Sequence, residues 1–423
     1  MPLRSALRRL LAAALLATAC LAPGTAGAEV PVLKRGVNFE LWQHWTNRDR
    51  FLAPDYDRDN FPDWTKVVSD AKLTALRRQG FDFVRLNVDP SPMLWDEPRA
   101  DALVTSTLRA VRRLQALDFK VVVDLHLVPE SPDRPDGLHY VLGTGDRRPS
   151  EGFNRYLAIV RTFATQLKTF PADKTALELL NEPDQDWFSQ SPLTDRWPSQ
   201  LAILHRAARQ AAPKLPLVLS GPRGGDVKGL LRVDASRYRN DDALIWSFHY
   251  YDPGAITHSG LPWEKSIGHF LTGLPFPAAR LDAAMRAEIT ERVVKAIRAE
   301  ITDPARRAAL EEELPRAIDT YVASKSGPET IRDDIAQVLP WAKTYDVPPE
   351  RIMMGEFGVF QDEVAPETRA DIIRATREAA EAAGFSWAIY TAGLTVARSS
   401  FGIIDDTATM RVDDRVARAL GLR

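Results

Sequence analysis

Lys120-Val121-Val122-Val123-Asp124-Leu125-His126-Leu127 is almost continuously apolar until its last few residues. A strand with one face in water alternates apolar and polar residues. A run without that alternation is covered on both faces, as strands of a parallel sheet are. Seven more such runs accompany it: Arg35–Glu40, Phe81–Val88, Thr175–Asn181, Leu215–Gly221, Leu244–Tyr251, Arg351–Val359 and Phe385–Ala392. Amphipathic stretches lie between them, among them Leu103–Leu117, Phe153–Thr169, Leu201–Ala212 and Ala370–Ala383. Eight alternations of strand and helix predict an α/β fold, a (β/α)8 TIM barrel. An open doubly wound sheet usually has fewer strands and a glycine-rich phosphate turn after its first strand, and this chain has no such turn.

One interval breaks the rhythm. Residues 252–350, between the sixth and seventh runs, are far more than one crossover helix needs. Met285, Ile289, Val293, Ile297 and Ile301 recur every four residues, so part of this insertion is an amphipathic helix, expected to pack on the barrel wall. The stretch before it, with His258, Trp263 and His269, leaves the catalytic end of strand six and is a candidate roof for the cleft. No internal repeat or linker divides the chain, so residues 29–423 read as one decorated domain and a monomer is expected.

Residues 1–28 stand outside that domain. Arg4, Arg8 and Arg9, an apolar stretch from Leu10 to Leu21, and Ala26-Gly27-Ala28 have the order of a secretory signal peptide. The apolar core falls short of the roughly 20 residues of a membrane span. The expected location is therefore secreted or periplasmic. Cys20, the single cysteine, lies in this leader; a lipid-anchoring signal usually has leucine three residues earlier, where Ala17 stands. Cleavage after Ala28 leaves no thiol for a disulfide or a nucleophile. It also removes three of 55 basic residues and none of 57 acidic ones, taking the formal net charge from −2 to −5. Such a balance argues against nucleic acid as a partner and suits a neutral substrate.

Active sites of these barrels sit at the C-terminal ends of the strands. Those ends carry Asn38 and Glu40, Arg85 and Asn87, Asp124 and His126, Asn181 and Glu182, His249 and Tyr251, Glu356, then Trp387 and Tyr390. Polar groups crowd one rim. A carboxyl group closing a buried strand is costly unless it faces a cleft. Glu182 and Glu356 both do so, and two facing carboxyl groups are what acid-assisted cleavage of a glycosidic bond requires. His126 and His249 could instead bind metal, but metal-dependent amidohydrolase-type barrels need a His-x-His pair on strand one, which is missing. No acidic loop argues for calcium, and neither metal nor cofactor is expected.

Arg85 in Val84-Arg85-Leu86-Asn87, His126 in Asp124-Leu125-His126, Asn181-Glu182-Pro183, His249-Tyr250-Tyr251, Gly355-Glu356-Phe357-Gly358 and Trp387 together resemble glycoside hydrolase family 5, a family of retaining β-glycosidases. Each motif alone is weak; all of them in order span essentially the whole chain from Arg35 onward. The resemblance implies Glu356 as nucleophile and Glu182 as acid/base, with Arg85 and Tyr251 holding Glu356 and His249 tuning Glu182. It also implies that Asn181 binds the sugar 2-hydroxyl, that His126 meets the same sugar or supports the nucleophile, and that Trp387 is the platform under the cleaved unit. Retaining chemistry places the two carboxyl groups about 5–5.5 Å apart and needs one ionised while the other keeps its proton.

Trp42 and Trp45 after strand one, Trp95 after strand two, Trp187 after strand four and Trp263 in the insertion are candidate subsite aromatics. Several stacking faces would suit a polysaccharide or oligosaccharide, first of all a cellulose-like β-1,4-glucan cut internally. β-Mannan, β-1,3-glucan, an exopolysaccharide made by the same cell and exo action on chain ends are the alternatives, and transglycosylation would use the same residues. A non-catalytic carbohydrate-binding barrel would lack a catalytic carboxylate, and both are present.

Overall fold

The computed structural model describes residues 29–43, 53, 68–95, 100–130, 137–143, 150–183, 192–261, 266–393 and 401–422. Eight parallel strands close into a barrel in chain order. They are β1 (Arg35–Gln43), β2 (Phe83–Val88), β3 (Lys120–Leu125), β4 (Thr175–Glu178), β5 (Leu217–Ser220), β6 (Leu244–His249), β7 (Ile352–Phe357) and β8 (Ser386–Ile389). Each falls within or close to one of the eight apolar runs. Outside them lie α1 (Asp70–Arg78), α2 (Ala100–Ala116), α3 (Glu151–Leu167) and α4 (Pro192–Ala211). The crossover after β5 has only a short helix, Val227–Leu230, and a 3-10 turn, Ala235–Tyr238.

Alternation along the strands sorts the barrel interior into layers. Phe83, Val122, Ala176, Val218, Ile245, Met353 and Ala388, one from each of β2 to β8, form an apolar layer that Val30 and Leu33 cover. On β1 the matching position is Gly36, where a Cβ would come within 2.3 Å of the Phe83 ring. Two residues further along each of β1 to β6 the inward positions turn polar: Asn38, Arg85, Asp124, Glu178, Ser220 and Ser247, all buried. The barrel is thus dry at one end and charged at the other. A larger apolar cluster outside the strands glues them to the helices.

The insertion holds α5 (Ala283–Glu300), α6 (Pro304–Ala323), α7 (Pro328–Ala336) and α8 (Val338–Thr344). Ile289, Val293 and Ile297 are buried as their spacing predicts. The surface they meet differs from the expectation: α5 pairs with α6, and both pack on the insertion's own short helix, Ile267–Phe270. The wall contact falls to the later helices. α7 packs on α9 (Pro366–Ala382), and Trp341 of α8 meets Trp246 of β6 edge-on at 5.3 Å. A second helical layer thus replaces the single crossover helix. The final helix, α10 (Asp414–Ala419), packs on α9, and Arg35 Nη1 reaches the Gly421 carbonyl just beyond it at 2.9 Å. Among the described residues no helix is long and apolar enough to cross a membrane.

Candidate active site

Arg85 is the hub of the charged layer. It points inward from the middle of β2 with no exposed surface. Its Nε and Nη2 grip the two oxygens of Glu178 at 2.7 and 3.1 Å. Nη2 also reaches Asn181 Oδ1 at 2.9 Å and Asp124 Oδ2 at 3.0 Å. Nη1 donates to Asn38 Oδ1 at 2.9 Å and to Glu356 Oε1 at 2.5 Å. Burial opposes its charge, but Asp124, Glu178 and Glu356 together outweigh that and hold it firmly cationic.

Glu356 follows Gly355 near the end of β7, and the glycine is a requirement of space. A Cβ there would lie 2.6 Å from Ser247 Oγ and 3.1 Å from the His249 ring. The second Glu356 oxygen accepts from the Tyr251 hydroxyl at 3.0 Å. Burial and the nearby Glu356 charge keep that phenol protonated well above its ordinary value, so it stays a donor. Glu356 is therefore held from two sides, by a guanidinium and a phenol.

Glu182 sits where the chain leaves β4, half-buried, with a φ of +41°. A left-handed conformation costs a residue with a Cβ roughly 1–2 kcal/mol, so the packed neighbours on either side must hold it. Asn181 N bonds to Leu125 O before it, and Gly224 N to Pro183 O after it. His249 Nδ1 lies 2.9 Å from Glu182 Oε1. Burial is the main cause that lowers His249 to about 4, so its ring is neutral at pH 7. In one tautomer Nδ1 of a neutral ring accepts a hydrogen bond from a carboxylic acid, and in the other it donates one to a carboxylate. One oxygen of Glu182 and one of Glu356 lie within 4.8 Å of each other, so the two carboxyl groups face the same cleft.

His126 stands on the other flank of Glu356, its Nδ1 4.0 Å from Oε1 and 2.6 Å from Asp124 Oδ2. Burial works against its charge, but Asp124 beneath it prevails and raises the imidazole to about 9. Because that exceeds the ordinary 6.5, the charged ring contributes stability fully below pH 6.5 and loses the contribution as pH rises towards 9. The thermal midpoint should fall across that interval, and His126→Gln should flatten the fall. An identical slope in the variant would contradict a charged His126.

Asp124, His126 and Glu356, and likewise Glu182, His249 and Glu356, bring donor atoms within 4.8 Å of one another. Both groups share Glu356, whose oxygen already accepts from the Arg85 cation. A divalent ion bound there would face that guanidinium, so the donor sets do not suit a metal.

Two expectations fail. Trp387 has no exposed surface and packs edge-on against Phe81 and Phe357, its indole N–H donating to Glu381 of α9. Its neighbour Ala388 faces into the barrel, so strand alternation turns Trp387 outward, and it cannot be a sugar platform. Two positions on, Tyr390 has the inward parity: its ring stacks 6.4 Å from His126 and its hydroxyl bonds Glu40. Trp95 is also misplaced. The short helix Ser91–Leu94 turns the chain back and buries the indole in the core, 9% exposed.

The other aromatics bear on the site less directly. Trp42 lies on β1, with its side chain outside the description, and Trp45, Trp187 and Trp263 lie outside the described residues. Of the proposed roof, His258 packs edge-on against Tyr251 at 4.9 Å and Phe401 at 5.6 Å, walling the site beside Glu356. His269 instead turns to Leu261 O and Glu300.

Glu178 and Glu40 were given no role by the sequence. Glu178 closes β4 but is hidden in sequence within the apolar run, between Leu177 and Leu179, and its signal is the inward parity it shares with Ala176 opposite Arg85. Glu40 is half-buried at the same rim, its carboxyl raised by burial, against which the His126 charge acts, with the Glu356 charge adding to the rise.

Comparison with known proteins places the chain in a family. The family model for cellulase (glycosyl hydrolase family 5) matches residues 54–394. Cellodextrinase A of Ruminococcus flavefaciens is 23% identical over 224 residues, 50% of this chain and 59% of that protein. Endoglucanase 3 of Fibrobacter succinogenes is 24% identical over 217 residues, 51% of this chain and 29% of that protein. The chain thus matches less than two thirds of either relative's length. Endoglucanase Cel5A from the hyperthermophilic Thermotoga maritima superposes with a TM-score of 0.61 over 92% of this chain and 97% of its own, at 18% identity, which is a likeness of fold. With the family match covering most of the barrel, the chain belongs to glycosyl hydrolase family 5.

Proposed function

We propose that this protein is an exported retaining β-glycoside hydrolase, acting first of all as an endo-β-1,4-glucanase. Glu356 attacks the anomeric carbon while Glu182 gives its proton to the departing oxygen, leaving a glycosyl ester on Glu356. Glu182, now a carboxylate, takes a proton from water, whose oxygen displaces Glu356 and restores the starting state. The observation that carries this reading is the pair of carboxylates within 4.8 Å, one held by Arg85 and Tyr251 and the other by a neutral His249. Asn181, whose Oδ1 accepts from Arg85, binds the sugar 2-hydroxyl in this reading.

The glucan preference rests on the names of the relatives, and export rests on the leader-like order of residues 1–28, which lie outside the described residues. The test is to incubate the purified protein with soluble cellulose derivatives, mannans, β-1,3-glucans and short oligosaccharides and to size the products. Mixed cello-oligosaccharides, with viscosity falling ahead of reducing-end release, are expected. Activity confined to mannan or β-1,3-glucan, or single sugars released from chain ends, would replace the endo-glucanase assignment.

A further inference from the structure

We propose that Glu178 is a positioning residue of this reaction: it holds the Arg85 guanidinium side-on and, by sharing its charge, sets the basicity of Glu356. The proposal rests on Glu356 being the nucleophile. Arg85 has five N–H donors in a rigid planar fork. Glu178 takes the Nε edge of that fork with both oxygens, at 2.7 and 3.1 Å, which fixes the plane of the group. Only the Nη1 end is left to face Glu356 and Asn38.

All of this happens away from bulk solvent, since Arg85 is 0% and Glu178 1% exposed. Charges that far inside act on one another strongly. The groups facing the guanidinium come from four strands and the segments just past them: Asn38 on β1, Asp124 on β3 with His126 just past it, Glu178 on β4 with Asn181 beyond, and Glu356 on β7. Two cations, Arg85 and His126, therefore serve three carboxylates. On the helical layer Tyr156 feels the Asp124 and Glu178 charges, and its hydroxyl is committed to the Leu179 carbonyl at 2.8 Å. Burial is the main cause that raises the Glu178 carboxyl, with Arg85 acting against it and the Asp124 and Glu356 charges adding to it; both of its oxygens accept from the one guanidinium, which holds it as the carboxylate. The two carboxylates are thus coupled, and the coupling is reciprocal. A nucleophile gripped by an undivided guanidinium charge would be a weaker base; Glu178 divides that charge.

Glu178→Gln removes the charge and keeps the size. Measured as kcat/KM against pH, the acidic limb should move down by about one pH unit, because Glu356 then faces an undivided cation. The plateau should fall about tenfold as the nucleophile weakens. A purely structural Glu178 gives the opposite sign or none: a loosened Arg85 would let the limb rise, and lost packing would lower the plateau with the limb unmoved. Either result overturns the proposal. Glu178→Leu, neutral and of similar bulk, takes the same measurement should the glutamine variant not fold. Glu178→Asp, which restores the charge, should return the limb to its wild-type position. Failure of the underlying reading is distinguishable, because Glu356→Ala would then stay active.

Discussion

Glu356→Ala should lower kcat/KM on oligosaccharides by at least about 10⁴-fold and leave the fold intact. Without that carboxylate no covalent intermediate forms, and direct attack by water has no group placed to activate it on the nucleophile's side. The fold survives because Arg85, fully buried, keeps Asp124 and Glu178 as anionic partners at 3.0 and 2.7 Å. Breaking a buried pair usually costs several kcal/mol by stranding a charge, and here the charge is not stranded. Circular dichroism and the thermal midpoint report the fold, and initial rates report the chemistry. Turnover like that of the wild type in a folded variant would remove the nucleophile assignment.

Glu182→Ala should separate substrates by their leaving groups. Departure of a sugar hydroxyl needs a proton at the transition state, and losing the donor should slow such substrates by about 10²–10⁴-fold. An activated aryl glycoside leaves as a stable phenolate, so formation of its glycosyl-enzyme should change little. Its overall turnover then becomes limited by hydrolysis of that intermediate, because the base that activates water is gone. The rate should show a burst followed by slow release, and the basic limb of the pH profile should disappear. Equal losses on both substrate types would argue against the acid role. His249 has a part in this, since its neutral ring is the hydrogen-bond partner through which Glu182 can keep or yield its proton.

Much of this site could be read from residue order alone, for a physical reason. A barrel places its chemistry at one end of each strand, so polar residues ending apolar runs fall together in space however far apart they lie in the chain. Arg85, Asn181, Glu182, His249, Tyr251 and Glu356 meet for that reason. Parity was harder to see. At the end of β8 both Trp387 and Tyr390 are aromatic, and only the inward direction of Ala388, set by pairing with β1 and β7, decides which ring faces the cleft. Glu178 escaped because its flanking leucines make a strand interior look uniformly apolar, although Arg85 in the facing layer demanded a partner. Of the insertion's helices only α5 followed from residue spacing, that of Ile289, Val293 and Ile297. The surface they cover did not, because periodicity says that a face is buried and not against what.

The claim on which the whole account depends is a covalent sugar on Glu356. An activated 2-deoxy-2-fluoro-cellobioside slows both steps but removal of the intermediate more, so it should titrate the enzyme to inactivity and add the mass of one 2-deoxy-2-fluoro-cellobiosyl group, its leaving group expelled. Mass spectrometry of the digested protein should place that addition on the peptide carrying Gly355-Glu356-Phe357. An addition on a peptide without Glu356, or an active enzyme that never takes up the label and releases its first product with inverted anomeric configuration, would contradict the account.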